Sequence, residues 1–288
     1  TPMKNTAEKV DAYLRDKVAT VAESYSIKLP KGADSATAFG KLIDGLHKKG
    51  QVVILVDEYD KPILDNISRT NVGEILMCLK GFYSVLKDRN AMERLLFVTG
   101  VSKFCHVSLF SELNNLTDIS MDRRFVEICG ITEKEIHDYL DQEVAMLAET
   151  YDITKEQCYD RLKEMYDGYH FRPNSIGIYN PFSLLNAFDK QEFRSFWFES
   201  GTPTALVETM QRNDFPLEHL TSEEVSAQLM SSVDSDEVSP IPLIYQSGYL
   251  TIKGYDEEFG NYLLGFPNKE VSEGFTRYLM PYYSPVKR

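Results

Sequence analysis

Apolar residues recur at helical spacing at Val10, Tyr13, Leu14, Val18 and Val21, predicting a first helix over about residues 6–25. The Leu29-Pro30-Lys31-Gly32 break follows, then a second helix from about Ala36 to Lys48, ended by Gly50. The pattern then changes. Val52-Val53-Ile54-Leu55-Val56 is an unbroken apolar run, four of its five residues β-branched, leading into Asp57 and Glu58. Such a run fits a strand, placed here at 52–58, buried on both faces of a parallel sheet. Asn71 opens another helix reaching about Lys87, with Glu74 at the spacing of a capping-box partner. A second apolar strand, Leu95–Thr99, ends in Thr-Gly. The order helix, strand, helix, strand is that of an α/β fold with right-handed crossovers.

Beyond about residue 125 the punctuation is that of short helices. Ile131-Thr132-Glu133-Lys134-Glu135-Ile136 reads as a capping box with a hydrophobic staple, and Thr154 with Gln157 repeats the box. Asn180-Pro181 and Thr202-Pro203 each set a capping residue before a proline suited to the first helical position. Residues 126–217 are therefore expected to form a mostly helical lid after a 1–125 core. An acidic, Ser-rich stretch at 218–238 reads as a mobile connection. Leu243–Tyr245, Tyr249–Lys253 and Tyr262–Phe266 read as a small antiparallel ribbon, and Val271–Tyr282 as the start of another helix.

Composition narrows the classes. With 288 residues and 43% hydrophobic content the chain can build a full core, and its length suits two domains. A net charge of −13 argues against non-specific nucleic-acid binding by the chain as a whole. No apolar stretch approaches membrane-spanning length and TPMKNTAEKV lacks the apolar core of a signal peptide, so a cytoplasmic location is expected. Cys78, Cys105, Cys129 and Cys158 contain no C-x-x-C pair, which fits reduced cysteines better than a disulfide framework or a zinc site.

Adjacent carboxylates at the tip of a buried parallel strand are the arrangement of a Walker B motif. There Asp57 would hold Mg²⁺, usually through water, and Glu58 would polarise the attacking water. A strand tip simply leaving the core gives the same residues. Asp60 fits either a third metal ligand or a cap on the turn before Lys61-Pro62, the turn role being the better fit. Thr99 or Ser102, at the neighbouring strand tip, could sense a γ-phosphate or satisfy local backbone. Arg123 and Arg124 could neutralise charge on a phosphoryl group, or form a solvated pair. In Tyr166-Asp167-Gly168-Tyr169-His170-Phe171 the histidine suits packing and hydrogen bonding, since no partner completes a catalytic set. A phosphate-binding G-x-x-x-x-G-K-[ST] loop is absent; Gly40-Lys41 lies in a helical pattern with Leu42 after it.

The strings VVILVDEYDKPI, LLFVTGVSKF, CGITEKEI, MYDGYHF, IYNPFSLLNAF and SGTP, in this order over about residues 45–205, resemble the bacterial and archaeal AAA-ATPase-like proteins. YQSGYLTIKGYD and YLLGFPNKEV resemble the connector that follows in them. The resemblance implies a P-loop ATPase domain with a catalytic glutamate after the Walker B aspartate, followed by a PD-(D/E)xK nuclease-like domain. Carried onto this chain, Asp57 matches the Mg²⁺-linked residue, Glu58 the catalytic base and, less closely, Thr99 the strand-tip sensor.

The expected fold is thus an incomplete P-loop parallel sheet, a helical lid and a β connector, read as the middle of a longer protein. ATP and Mg²⁺ are the expected ligands once an upstream Walker A is supplied; alone, the chain is expected to bind ATP weakly or not at all. Nucleic acid would be reached through the nuclease-like domain, and oligomers are compatible. The alternative is a non-hydrolysing interaction or regulatory module. A third reading, a metal-dependent phosphoesterase using Asp57, Glu58 and Asp60 directly, lacks a second carboxylate cluster.

Overall fold

The computed structural model describes residues 5–67, 69–102, 116–200, 210, 224–226, 230 and 240–283, with backbone alone at 199–200 and 279–283. These fall into two compact units, one up to Thr117 and one from Asp118 onward.

The first unit packs three helices beside a two-stranded parallel sheet. Helix α1 (Ala7–Ser24) is capped by Thr6, whose side chain accepts from Lys9 N–H, and α2 (Ser35–His47) by Asp34, which accepts from Thr37 N–H at 2.7 Å. Strand β1 (Val52–Val56) leads through the short α3 (Lys61–Leu64) to α4 (Val72–Ser84). A 3₁₀ turn, Lys87–Met92, then enters β2 (Glu93–Val98). Helices α1, α2 and α4 pack on one another around Val10, Ile43, Ile75 and Leu79, with Phe39 stacked on Phe82 at 4.6 Å. Gly40 lies inside α2, where a Cβ would come within 2.7 Å of the Arg89 guanidinium. Arg89 Nε donates to Gly40 O at 3.1 Å and Asp44 Oδ1 at 2.8 Å. Gly40 is thus a packing glycine, in keeping with its rejection as part of a phosphate loop.

Three expectations for this unit need correction. β1 ends at Val56 and β2 begins at Glu93 and ends at Val98, so Asp57, Glu58 and Thr99 lie just past the strands. Only one face of β1 is covered: Val52 and Ile54 are buried, whereas Val53 and Leu55 are 53% and 69% exposed. Asn71 makes no capping bond, because its side-chain amide donates instead to Asn5 O at 2.8 Å.

The second unit is helical with a small sheet. Helices α5 (Glu133–Tyr139), α6 (Asp141–Thr150), α7 (Lys155–Tyr166) and α8 (Pro181–Lys190) enclose a core that includes Ile136, Leu147, Leu162, Tyr166, Leu184 and Ala187. Both capping boxes form as expected, at Thr132 with Glu135 and Thr154 with Gln157. Asn180 accepts from Phe182 N–H and Ser183 N–H before Pro181. Thr202-Pro203 lies outside the described residues. Helix α9 (Trp197–Ser200) is followed by β3 (Glu224–Ser226), α10 (Ile241–Gln246), β4 (Thr251–Asp256), β5 (Asn261–Gly265) and α11 (Lys269–Tyr283).

The expected ribbon is present as antiparallel β4 and β5, with β3 added along β5. Two readings are corrected here. Residues 224–226, inside the stretch read as a mobile connection, are a paired strand. Leu243–Tyr245 is helix, not strand; Ile241 to Ile244 are all buried, so the run carries no alternation, and Pro242 sits in its first turn. Gly168 has φ +96, and a Cβ there would lie 2.3 Å from Pro267 O. His170 is held structurally, its ring Nδ1 lying 2.9 Å from Ser175 O and its backbone N–H donating to Thr251 Oγ1 at 2.7 Å. No helix among the described residues is long and apolar enough to cross a membrane.

Candidate functional site at the parallel strand tips

β1 and β2 run in parallel register, Val56 opposite Val98. Two backbone bonds continue the pairing beyond the strands: Thr99 N–H donates to Val56 O at 2.8 Å, and Tyr59 N–H to Thr99 O at 3.1 Å. This sets Asp57 beside Thr99, whose hydroxyl donates to Asp57 Oδ1 at 2.7 Å. Asp57 is exposed, and its Oδ2 has no partner among the described residues.

The next residue turns the chain sharply. Glu58 has φ +53, in the left-handed region, where a residue with a Cβ carries roughly 1–2 kcal/mol of strain. Its carbonyl accepts from Lys61 N–H at 3.1 Å, closing the turn. The outcome is a division of side chains. Asp57 and Glu58 face solvent; Tyr59 and Asp60 go inward.

Tyr59 and Asp60 form a clasp on the loop after β2. The Tyr59 hydroxyl donates to Ser102 O at 2.7 Å. Asp60 is fully buried and accepts from Ser102 N–H at 2.6 Å, Ser102 Oγ at 2.7 Å and Val101 N–H at 3.2 Å. Gly100 makes the approach possible: a Cβ would stand 2.5 Å from the Tyr59 ring and 2.7 Å from Asp60 Oδ1. Burial, and then the charge of Asp60, holds the Tyr83 hydroxyl well above its usual range. Asp60 is the N-cap residue of α3 but makes no side-chain capping bond, so the expected turn role gives way to this clasp.

The structure therefore brings Asp57, Glu58 and Thr99 together at one tip, and turns Ser102 into the protein with its hydroxyl bonded to Asp60. Arg123 and Arg124 lie in the second unit, in a 3₁₀ turn, Arg123–Phe125. Arg124 Nη2 donates to Asp122 Oδ2 at 2.6 Å, and these hydrogen bonds hold the Asp122 carboxyl down at about 2. Arg123 has no ion-pair partner among the described residues. The clasp is what reasoning along the chain missed. Its one signal is an aspartate three places after Asp57, with the small residues Gly100 and Ser102 following the other strand.

No three His, Cys, Asp or Glu side chains converge as a metal cage among the described residues. Mg²⁺ in nucleotide sites needs fewer, taking one or two carboxylates and completing its shell with waters and phosphate oxygens. The unpartnered oxygen of Asp57 fits that role. Asp60, enclosed by three donors, does not.

Residues 2–110 match the model of a family described as Predicted AAA-ATPase. This part of the chain is thus similar to the AAA-ATPase-like family. The match covers α1 through β2 and so contains the whole strand-tip site. Over 258 residues the chain is also 40% identical to an uncharacterized protein in the vnfD 5' region of Azotobacter chroococcum mcd 1, covering 88% of this chain and 48% of that protein. The chain thus spans about half the length of the curated relative it matches. No solved structure matches it.

Proposed function

We propose that the strand tip is the Walker B half of an ATP-hydrolysing site, completed in the intact protein by a phosphate-binding loop. The observation that carries this reading is the 2.7 Å bond from Thr99 to Asp57, which joins two parallel strand tips with Glu58 exposed beside them. A polar residue on the adjacent strand, an aspartate and then a glutamate can together position Mg²⁺ and the attacking water for phosphoryl transfer.

Asp57, through Oδ2 or a water on it, would hold Mg²⁺, which when bound supplies charge neutralisation at the phosphate oxygens. Thr99 fixes the Asp57 carboxylate by donating to its other oxygen, and so sets where Oδ2 points. Glu58 would accept a proton from the attacking water, and the left-handed turn at this residue keeps its carboxylate at the surface rather than against Tyr59. The uncovered face of β1, with Val53 and Leu55, is where a larger doubly wound sheet would receive its second layer of helices. In this reading turnover would regulate the nuclease-like domain that the resemblance implies, through the helical lid.

In the intact protein, Glu58→Gln is expected to lower ATP turnover by about 100-fold or more while ATP binding is retained. Unchanged turnover in that variant, measured by phosphate release, would reject the assignment.

A further inference from the structure

A cavity of about 430 Å³ opens in the second unit between α7, the Phe193–Ser195 segment and α11. Four cations line it, Arg161, Arg194, Lys269 and Arg277, against two carboxylates, Glu164 and Glu273. One of those carboxylates is already paired, Glu164 with Lys269 at 3.2 Å. On a chain of net charge −13 this is a local reversal of sign, and such a concave patch concentrates anions.

Two of the three guanidiniums lie against aromatic rings. Arg161 lies 4.1 Å from the Phe193 ring centroid and 4.7 Å from that of Tyr151, and has no carboxylate partner among the described residues. Arg194 lies 4.9 Å from the Phe196 ring centroid while its Nε stays 3.3 Å from Glu192. Arg277 has no ion-pair partner among the described residues and sits one helical turn beyond Glu273. A planar guanidinium whose orientation is fixed by aromatic rings presents paired donors matched to phosphate oxygens and loses little freedom on binding. The volume suits a small molecule.

We propose that this cavity binds a small molecule bearing a diphosphate, gripped by Arg161 and Arg277. The site lies wholly within the second unit and does not depend on the strand-tip reading.

Calorimetric titration of the chain with inorganic pyrophosphate at low ionic strength tests it, with orthophosphate, citrate and a short single-stranded oligonucleotide as comparisons. Pyrophosphate is expected to bind most tightly, to raise the melting temperature, and to weaken steeply with salt. Arg277→Ala is expected to weaken it by at least about tenfold with the unliganded melting temperature unchanged. Arg161→Lys, which keeps the charge but loses the fork, is expected to weaken it similarly. Asp57→Asn is expected to leave it untouched. Absence of pyrophosphate binding at millimolar concentration, unchanged affinity in Arg277→Ala, loss of affinity in Asp57→Asn, or tighter binding of citrate or of the oligonucleotide would each overturn the proposal.

Discussion

Asp60 in the first unit and Asp167 and Glu270 in the second are all buried carboxylates, and they are treated differently. Asp60 receives three donors from one short loop, and the loop is thereby tied to the strand tip. Glu270, on α11, accepts from Phe196 N–H at 2.6 Å and Trp197 N–H at 3.0 Å at the start of α9, but its other oxygen has no hydrogen bond among the described residues. Asp167 Oδ1 likewise has none. Burial pushes both Glu270 and Asp167 above the usual carboxylate range, against the hydrogen bonds they accept. At similar depth, the three carboxylates therefore differ in how many donors meet their two oxygens.

The sharpest break of that contrast is Asp60→Ala. It strands Ser102 N–H and Oγ, both buried, and frees the loop beside Thr99. A loss of about 2–5 kcal/mol is expected in urea unfolding. A loss below about 1 kcal/mol would show that the clasp does not hold the tip. Next comes Glu270→Ala, expected to cost about 1–3 kcal/mol by orphaning two amides, whereas Glu270→Gln keeps an acceptor and is expected to cost less. Equal losses in the two variants would mean that the charge, not the acceptor, matters. The smallest effect is a slope. Because burial raises the Asp167 pKa, the folded chain holds its proton at higher pH than the unfolded chain does. The stability this contributes in acid is lost as pH rises through the raised value. Asp167→Asn removes that loss, so its stability relative to the parent should increase from acid toward neutral pH. A pH-independent difference would contradict it.

What could be read along the chain was chemistry between near neighbours. The Thr132 and Thr154 boxes and the Asn180-Pro181 start each involve residues within three places of one another, and all three are present. The strand-tip pair Asp57-Glu58 was visible because it directly follows an apolar run. Asn71 had the right local signal and lost its cap to Asn5, 66 residues away. Residues 241–244 failed as a strand because a short run buried all round has no period to separate helix from strand. β3 is three residues long and exists through its pairing with β5. The Asp60 clasp joins residues 41 and 42 places apart, which no local pattern encodes. The exposed face of β1 was missed for another reason: Val53 and Leu55 state that they prefer cover, not whether it is there.

The left-handed backbone at Glu58 sets stability and chemistry against each other at one position. Glycine would relieve the local strain, so a search for heat-resistant variants would tend to find Glu58→Gly and remove the carboxylate proposed to do the chemistry. Optimising this chain for robustness alone would wear away its proposed active site first.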